Sequence, residues 1–235
     1  MPVEPTPASV PLSKLPSFDP RAVPVQGIDT HLPAVPLRSL TPQALRQRFR
    51  SPPQWEPEAW AERKMVERAP AYASVLIAVV MRERPTVILT ERTTHLSTHS
   101  GQVAFPGGKR DETDTDEAHT ALREAQEEIG LAPDRVEVIG QLPLYKTGTQ
   151  FIITPVVSLV DPDHELTLNA FEVADAFEVP LDFLMNPAHH HRHVLEWGGG
   201  RREFFSMPYM DGSTERFVWG ATAAMLRNFY RFLVA

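Results

Sequence analysis

Gly107-Gly108, followed after an acidic loop by Arg123-Glu124-Ala125-Gln126-Glu127-Glu128-Ile129-Gly130, is the stretch whose reading decides the fold of this chain. It sets several carboxylates on one short helix, between glycines that can make tight turns at both ends. At about 100° per residue, Ala118, Leu122, Ala125 and Ile129 fall on one narrow stripe, the side expected to pack on a sheet. Glu124 and Glu128, four residues apart, share a face away from that stripe, with Glu127 beside them and Glu117 earlier on the same acidic side. Like charges at this spacing weaken an isolated helix by roughly a few tenths of a kcal/mol per pair, so the pattern calls for a compensating cation. A hard Mg²⁺ or Mn²⁺ ion with oxygen ligands supplies one, and such a helix then suits a pyrophosphate. The alternative for any Glu-rich helix is a solvated acidic face.

The spacing goes further than the charges. Gly107, Gly108, the Arg123-Glu124 pair, the Glu127-Glu128 pair and Gly130 together resemble the Nudix box, the loop-helix-loop signature of Nudix hydrolases, and the likeness runs almost end to end. The front half departs from it: Asp114 stands where the common pattern has Glu, and Arg123 comes one residue late. Asp114 with Glu117 three residues on reads as a capping box, and Asp116 and Glu117 suit a positive helix N-terminus. Asp114 is therefore not taken as a metal ligand.

Upstream, Ile88-Leu89-Thr90-Glu91-Arg92, Leu96, His99, Gly101-Gln102-Val103 and Phe105-Pro106-Gly107-Gly108 resemble the extra motif of the coenzyme A pyrophosphatase branch, which also tolerates the altered front of the box. The likeness extends from about Ser74 to Ala224. It implies an α/β/α sandwich around a mixed sheet and a metal-dependent enzyme that splits coenzyme A or its derivatives into 3′,5′-ADP and (acyl-)phosphopantetheine. Glu124 and Glu128, helped by Glu127, would hold Mg²⁺ or Mn²⁺, Arg123 would orient the acids, and Gly107 and Gly108 would border the substrate. Glu172-Val173, preceded by Asn169, resembles a Glu-Val segment that the family places near the active site, so Glu127 and Glu172 both stand as candidate bases. Trp219-Gly220-Ala221-Thr222-Ala223 resembles a C-terminal motif of the same branch, its indole either lining a pocket or anchoring the last helix. ADP-ribose, NADH or a dinucleoside polyphosphate are the alternative substrates. A nucleotide-binding module that does not cut is the alternative from another class, disfavoured by the intact Glu124, Glu127 and Glu128.

Read without the family, Thr86 to Glu91 is a strand ending in a polar loop with Arg92, His95, His99 and Gln102. The planar fork of Arg92 can make paired hydrogen bonds to phosphate, and its bland reading is a surface ion pair of little worth. The consecutive histidines of His189-His190-His191-Arg192-His193 point in different directions, and the run is read as a loop without catalytic duty.

Composition limits the classes. The chain has 235 residues, 42% of them hydrophobic, enough for one good core and an appendage. It has no cysteine, which excludes disulfides, a thiol nucleophile and cysteine-ligated metal. A formal charge of −7 with interspersed signs gives no basic stripe for nucleic acid, so the partner expected is a small nucleotide. The longest apolar run, near Val75 to Met81, is strand-length, and Met1 to Val10 lacks a signal-like core, so cytoplasmic residence is the expectation. A homodimer stays open.

Thirteen of the 23 prolines precede residue 60, and Met1 to about Leu37 reads as a proline-rich, flexible arm, extended or disordered, that cannot build a core. Residues 38–70 form a helical lead-in, with Thr41 as N-cap, Pro42 in the first turn and Ser51-Pro52-Pro53 as the stop. The hydrolase domain is expected over 71–235. Strands are predicted at Ala73–Val80, Thr86–Glu91, Arg135–Leu142, Phe151–Val160 and Glu172–Val179, then a short helix from Pro180 and a final amphipathic one over Ala221–Leu233.

Overall fold

The longest branched-aliphatic runs lie side by side at the centre of one mixed sheet. The structure, a computed structural model, describes residues 19–58, 69–93, 101–197 and 200–235. Strand β2 (Ala71–Val80) pairs in parallel with β8 (Phe151–Val160) over its whole length, from Ala71↔Phe151 to Val80↔Val160. Both are apolar on two faces, as strands covered on both sides must be. Around them lie β3 (Thr86–Arg92), β4 (Val103–Ala104) and β6 (Val136–Gln141), in the order β4-β3-β2-β8-β6. Three further strands pair off this path: β5 (Gly107–Lys109) on β2, β7 (Tyr145–Lys146) on β8, and β9 (Val173–Pro180) on β3.

Alternation along β2 assigns its two faces. Leu76, Ala78 and Val80 pack with Ile88 against Ala121, Ala125 and Ile129 of helix α2 (Glu117–Ile129), while Ile77 and Val79 join the larger core opposite. That second face is covered by α1 (Pro42–Arg50), by α4 (Gly220–Val234) and by a second sheet. This is the mixed-sheet sandwich expected. The short α3 (Leu181–Leu184) follows β9, as expected for a short helix from Pro180.

Two parts of the fold differ from expectation. The described part of the arm read over 1–37, residues 19–37, packs on the domain: Val23 and Val35 are buried, and β1 (Val25–Ile28) pairs antiparallel with β10 (His191–Trp197). Proline blocks helix but not an edge strand, and β1 lies at the edge of its sheet. The second difference is that sheet itself, β1-β10-β11-β12, with β11 at Gly200–Asp211 and β12 at Thr214–Trp219. Charges in β10 and β11 and Pro208 hid its alternation. Pro208 lies past Ser206, the last β11 residue paired with β10, so its missing N–H costs no bond on that side.

The histidine run is therefore only partly a loop: His191 and His193 lie on β10, and His189 and His190 precede it. His190 is buried, and burial pushes it down to about 4. As a neutral ring it donates from Nε2 to the Leu184 carbonyl at 2.8 Å and accepts at Nδ1 from Arg227 at 3.1 Å. His193 bonds the Val23 carbonyl and Ser206 Oγ and stacks on Phe204 at 4.7 Å. Asp29, Arg192, Arg227 and Glu58 form a neighbouring ionic knot that fastens the N-terminal segment to β10 and α4.

The lead-in helix has the expected ends, Thr41 accepting from the Ala44 N–H at 3.3 Å, but it is no appendage. Leu45 is fully buried and Phe49 sits 4.7 Å from Phe232. A Cβ on Gly140 would lie 2.3 Å from the Phe49 ring, so β6 needs a glycine there.

Candidate active site

Helix α2 is held at both ends by its own sequence. Asp116 is the N-cap, its carboxylate accepting the His119 N–H at 2.8 Å. Gly130 closes the helix at φ 69°, a conformation that favours glycine, with its N–H on the Gln126 carbonyl at 2.9 Å. The capping role read for Asp114 thus belongs to Asp116. Asp114 is fully buried at its side chain and meets Arg123 in a fork, Nε to Oδ1 and Nη2 to Oδ2 both at 2.9 Å. Sequence spacing favoured the cap because it does not see a partner nine residues on.

Arg123 organises the acids around it. Besides Asp114 it reaches Glu127 at 2.9 Å, Glu124 at 3.0 Å and the Lys109 carbonyl at 3.1 Å. The Asp114 fork raises its pKa above the ordinary arginine value, and Arg123 holds Asp114 well below the usual carboxylate range. Glu127 stays largely exposed and bound to Arg123, whereas Glu124 and Glu128 turn inward toward Gly107-Gly108.

Glu128 is the most buried of the three glutamates Glu124, Glu127 and Glu128, with its side chain 5% exposed. Its Oε2 accepts the Gly107 N–H at 3.0 Å, and Arg92 Nη1 lies 3.8 Å from its Oε1. Burial pushes Glu128 up to about 7 against those two favourable contacts, and the charges of Glu124 and Glu172 add to the push. Burial also raises Glu124, opposed by Arg123. Arg92 Nε is buried without a hydrogen-bond partner, so this guanidinium still has donating capacity beside the carboxylates.

Glu172 comes to the same place on a tethered loop. The Asn169 N–H donates to the Glu128 carbonyl at 2.9 Å, and Thr93 N–H donates to the Glu172 carbonyl at 3.1 Å. Glu172 remains exposed, next to Phe171, which is 81% exposed. His95, Leu96 and His99 lie outside the described residues. Gln102 takes part through its carbonyl, which accepts the Arg92 N–H at 3.1 Å. Thr222, at the start of α4, donates to the Val103 carbonyl at 3.1 Å, while the Trp219 ring packs against Phe204 at 5.6 Å. Of the two readings of that C-terminal motif, anchoring is the one the contacts display.

The two glycines before the helix have separate duties. A Cβ on Gly107, at φ 152°, would stand 2.4 Å from the Ser74 carbonyl oxygen and 2.6 Å from Val75 Cα, both backbone. One on Gly108 would stand 2.5 Å from Glu124 Oε2, the end of a flexible side chain. Gly107→Ala is accordingly expected to cost about 2 kcal/mol or more of stability in thermal unfolding. Gly108→Ala is expected to keep the melting temperature within a few degrees while displacing the Glu124 carboxylate and lowering turnover. Equal melting temperatures for both variants would contradict this division.

Among the described residues, no group of three or more His, Asp or Glu side chains forms a cage for a metal ion by itself. The donor set still fits Mg²⁺ or Mn²⁺, because such ions are commonly bound by one or two carboxylates and completed by water and substrate phosphates. Glu124 and the buried, under-compensated Glu128 are the two carboxylates that would hold such an ion.

The family model described as "NUDIX domain" matches residues 71–198. A relative from Escherichia coli O7:K1, named "Uncharacterized Nudix hydrolase NudL", is 41% identical over 66% of this chain and 79% of its own length. A relative of the same name from Pectobacterium atrosepticum is 40% identical over the same shares. Among solved structures, a Caenorhabditis elegans Ap4A hydrolase binary complex is similar over 50% of this chain and 85% of that one, at 16% identity and a TM-score of 0.42.

Proposed function

The chain belongs to the Nudix family, and from that premise we propose that it hydrolyses the phosphoanhydride bond of coenzyme A or a derivative, giving 3′,5′-ADP and (acyl-)phosphopantetheine. The coarser class, hydrolysis of a nucleoside diphosphate derivative with divalent metal, follows from the family. The single observation that carries the chemistry is the cleft of Glu124 and Glu128 at Gly107-Gly108, with the unsaturated Arg92 guanidinium at its edge. The upstream motif from Ile88 to Gly108 supports coenzyme A as the substrate.

A divalent ion held by Glu124 and Glu128 would neutralise the diphosphate and lower the pKa of a water. Arg92 supports one phosphate through its free donors. Gly107 fixes the Glu128 carboxylate through its N–H, and Arg123 fixes Glu124 from the other side. A water in line with the scissile bond forms the new P–O bond as the bond to the bridging oxygen breaks, and its proton passes to a carboxylate. Glu172 suits that role better than Glu127: it is exposed beside Glu124 and Glu128, whereas Glu127 is bound to Arg123 at 2.9 Å. Catalysis then rests on positioning and charge, with no covalent enzyme intermediate.

The test is incubation with coenzyme A, ADP-ribose and NADH in parallel, with Mg²⁺ or Mn²⁺ and with chelator, and product masses read after chromatography. 3′,5′-ADP and phosphopantetheine, absent with chelator, are the expected products. Cleavage of ADP-ribose or NADH alone would remove the coenzyme A assignment and keep the family chemistry. No cleavage of any of them would favour the binding-module reading.

A further inference from the structure

Arg216 lies on β12, in the sheet that the active-site residues do not use, yet its side chain is only 11% exposed. It crosses to the central sheet. Nη1 bonds Glu91 on β3 at 2.9 Å, Nη2 bonds Asp175 on β9, and Nη2 also reaches Asp211 on β11 at 3.2 Å. The guanidinium lies over the Phe177 ring, 4.1 Å from its centroid. We propose that Arg216 is a positioning residue for the reaction, a clamp that fixes the ends of β3 and β9 so that Arg92 and Glu172 face the Glu124–Glu128 cleft.

The argument runs through strand register. Glu91 and Asp175 are directly paired across β3 and β9. Like charges in opposed positions destabilise a pair of strands, and here they would push the strands apart at a sensitive place. The ladder shifts between Glu91 and Arg92, which next pairs with Val173, and Thr93 then holds the Glu172 carbonyl. Glu91 points to the second sheet with Val87 and Leu89, so its neighbour Arg92 points to α2 and Glu128. Only a cation spanning both strands cancels the repulsion without filling the cleft, and the planar fork of arginine reaches both acids at once where an ammonium meets one. Phe177 gives that fork a flat seat.

This inference rests on the functional reading above for Arg92 and Glu172, and its test keeps the two apart. Arg216→Met is expected to lower kcat/KM for the best diphosphate substrate by about 10-fold or more, and by a smaller factor in an Arg92→Ala background, where only its effect through Glu172 remains. A role in stability alone would give the same fold-loss in both backgrounds. Independently of turnover, exchange at the Thr93 amide is expected to quicken by about 10-fold or more in Arg216→Met, with the Ala125 and Ile129 amides of α2 unchanged. Should Arg216→Met not fold, Arg216→Lys takes its place, with the same direction expected in both readouts. Multiplying losses together with unchanged Thr93 exchange, or full activity of Arg216→Lys, would overturn the proposal. If the wild type cleaves no diphosphate, the functional reading fails and the exchange comparison alone decides the clamp.

Discussion

Glu128→Gln should abolish diphosphate hydrolysis and, without metal, make the protein more stable at pH 8. The activity loss is expected to exceed about 100-fold in kcat, because even changing a partner that only orients a metal ligand costs about 10- to 100-fold. The gain in stability follows from burial. Glu128 sits at about 7 in the folded protein against 4.5 as the ordinary value. Between those values the folded state keeps a proton that the unfolded chain has released, so stability is full below 4.5 and falls as pH rises through 7. The whole fall amounts to about 3 kcal/mol. Glutamine cannot ionise and lacks this descending limb. Melting temperatures of wild type and variant in chelator, measured from pH 4.5 to 8, should therefore diverge upward in favour of the variant. Parallel curves would show that the Glu128 carboxylate is not under-compensated, and full turnover by the variant would remove it from the chemistry.

The second large effect concerns Asp114. Its side chain is fully buried, and its fork with Arg123 is the best-formed ion pair beside the site. Removing one partner of such a pair leaves the other uncompensated and costs about 3–5 kcal/mol, so Asp114→Ala should lower the melting temperature by roughly 10 °C. Activity should fall as well, because a released Arg123 closes on Glu124, the carboxylate it already touches at 3.0 Å. The sign of the pH dependence is opposite to that of Glu128. Arg123 depresses Asp114 below 3.8, so its contribution is present above that value and lost as pH falls through the folded pKa. A variant as stable as wild type at pH 7 would refute this account of Asp114.

The sequence made the first sheet and the box helix legible because their physics is local. Phe151–Val160 was read at its true limits, and Thr41 and Gly130 marked helix ends by chemistry that acts within a few residues. The acids Glu124 and Glu128 were legible as a pair from i,i+4 spacing and the glycines before them as tight-turn residues, while the close approach of those glycines to Ser74 and Glu124 appears only in the fold. What escaped depends on partners far along the chain. Asp114 was assigned to a local cap while its real partner is Arg123. The alternation in β10–β12 is masked by charges such as Arg192 and Arg216, whose partners Asp29 and Glu91 lie more than a hundred residues away. No spacing rule reaches that far. Prolines before residue 37 suggested an arm, yet Val23, Val35 and Asp29 are buried there because β10 and α4 supply the other half of each contact.

The most direct test of the central claim is a calorimetric titration of Mn²⁺ into the wild type and into the Glu124→Gln/Glu128→Gln double variant at pH 8. Saturable binding by the wild type that disappears in the folded double variant is the expected result. Binding of equal strength and stoichiometry in both proteins would contradict the assignment of these two carboxylates as the metal site.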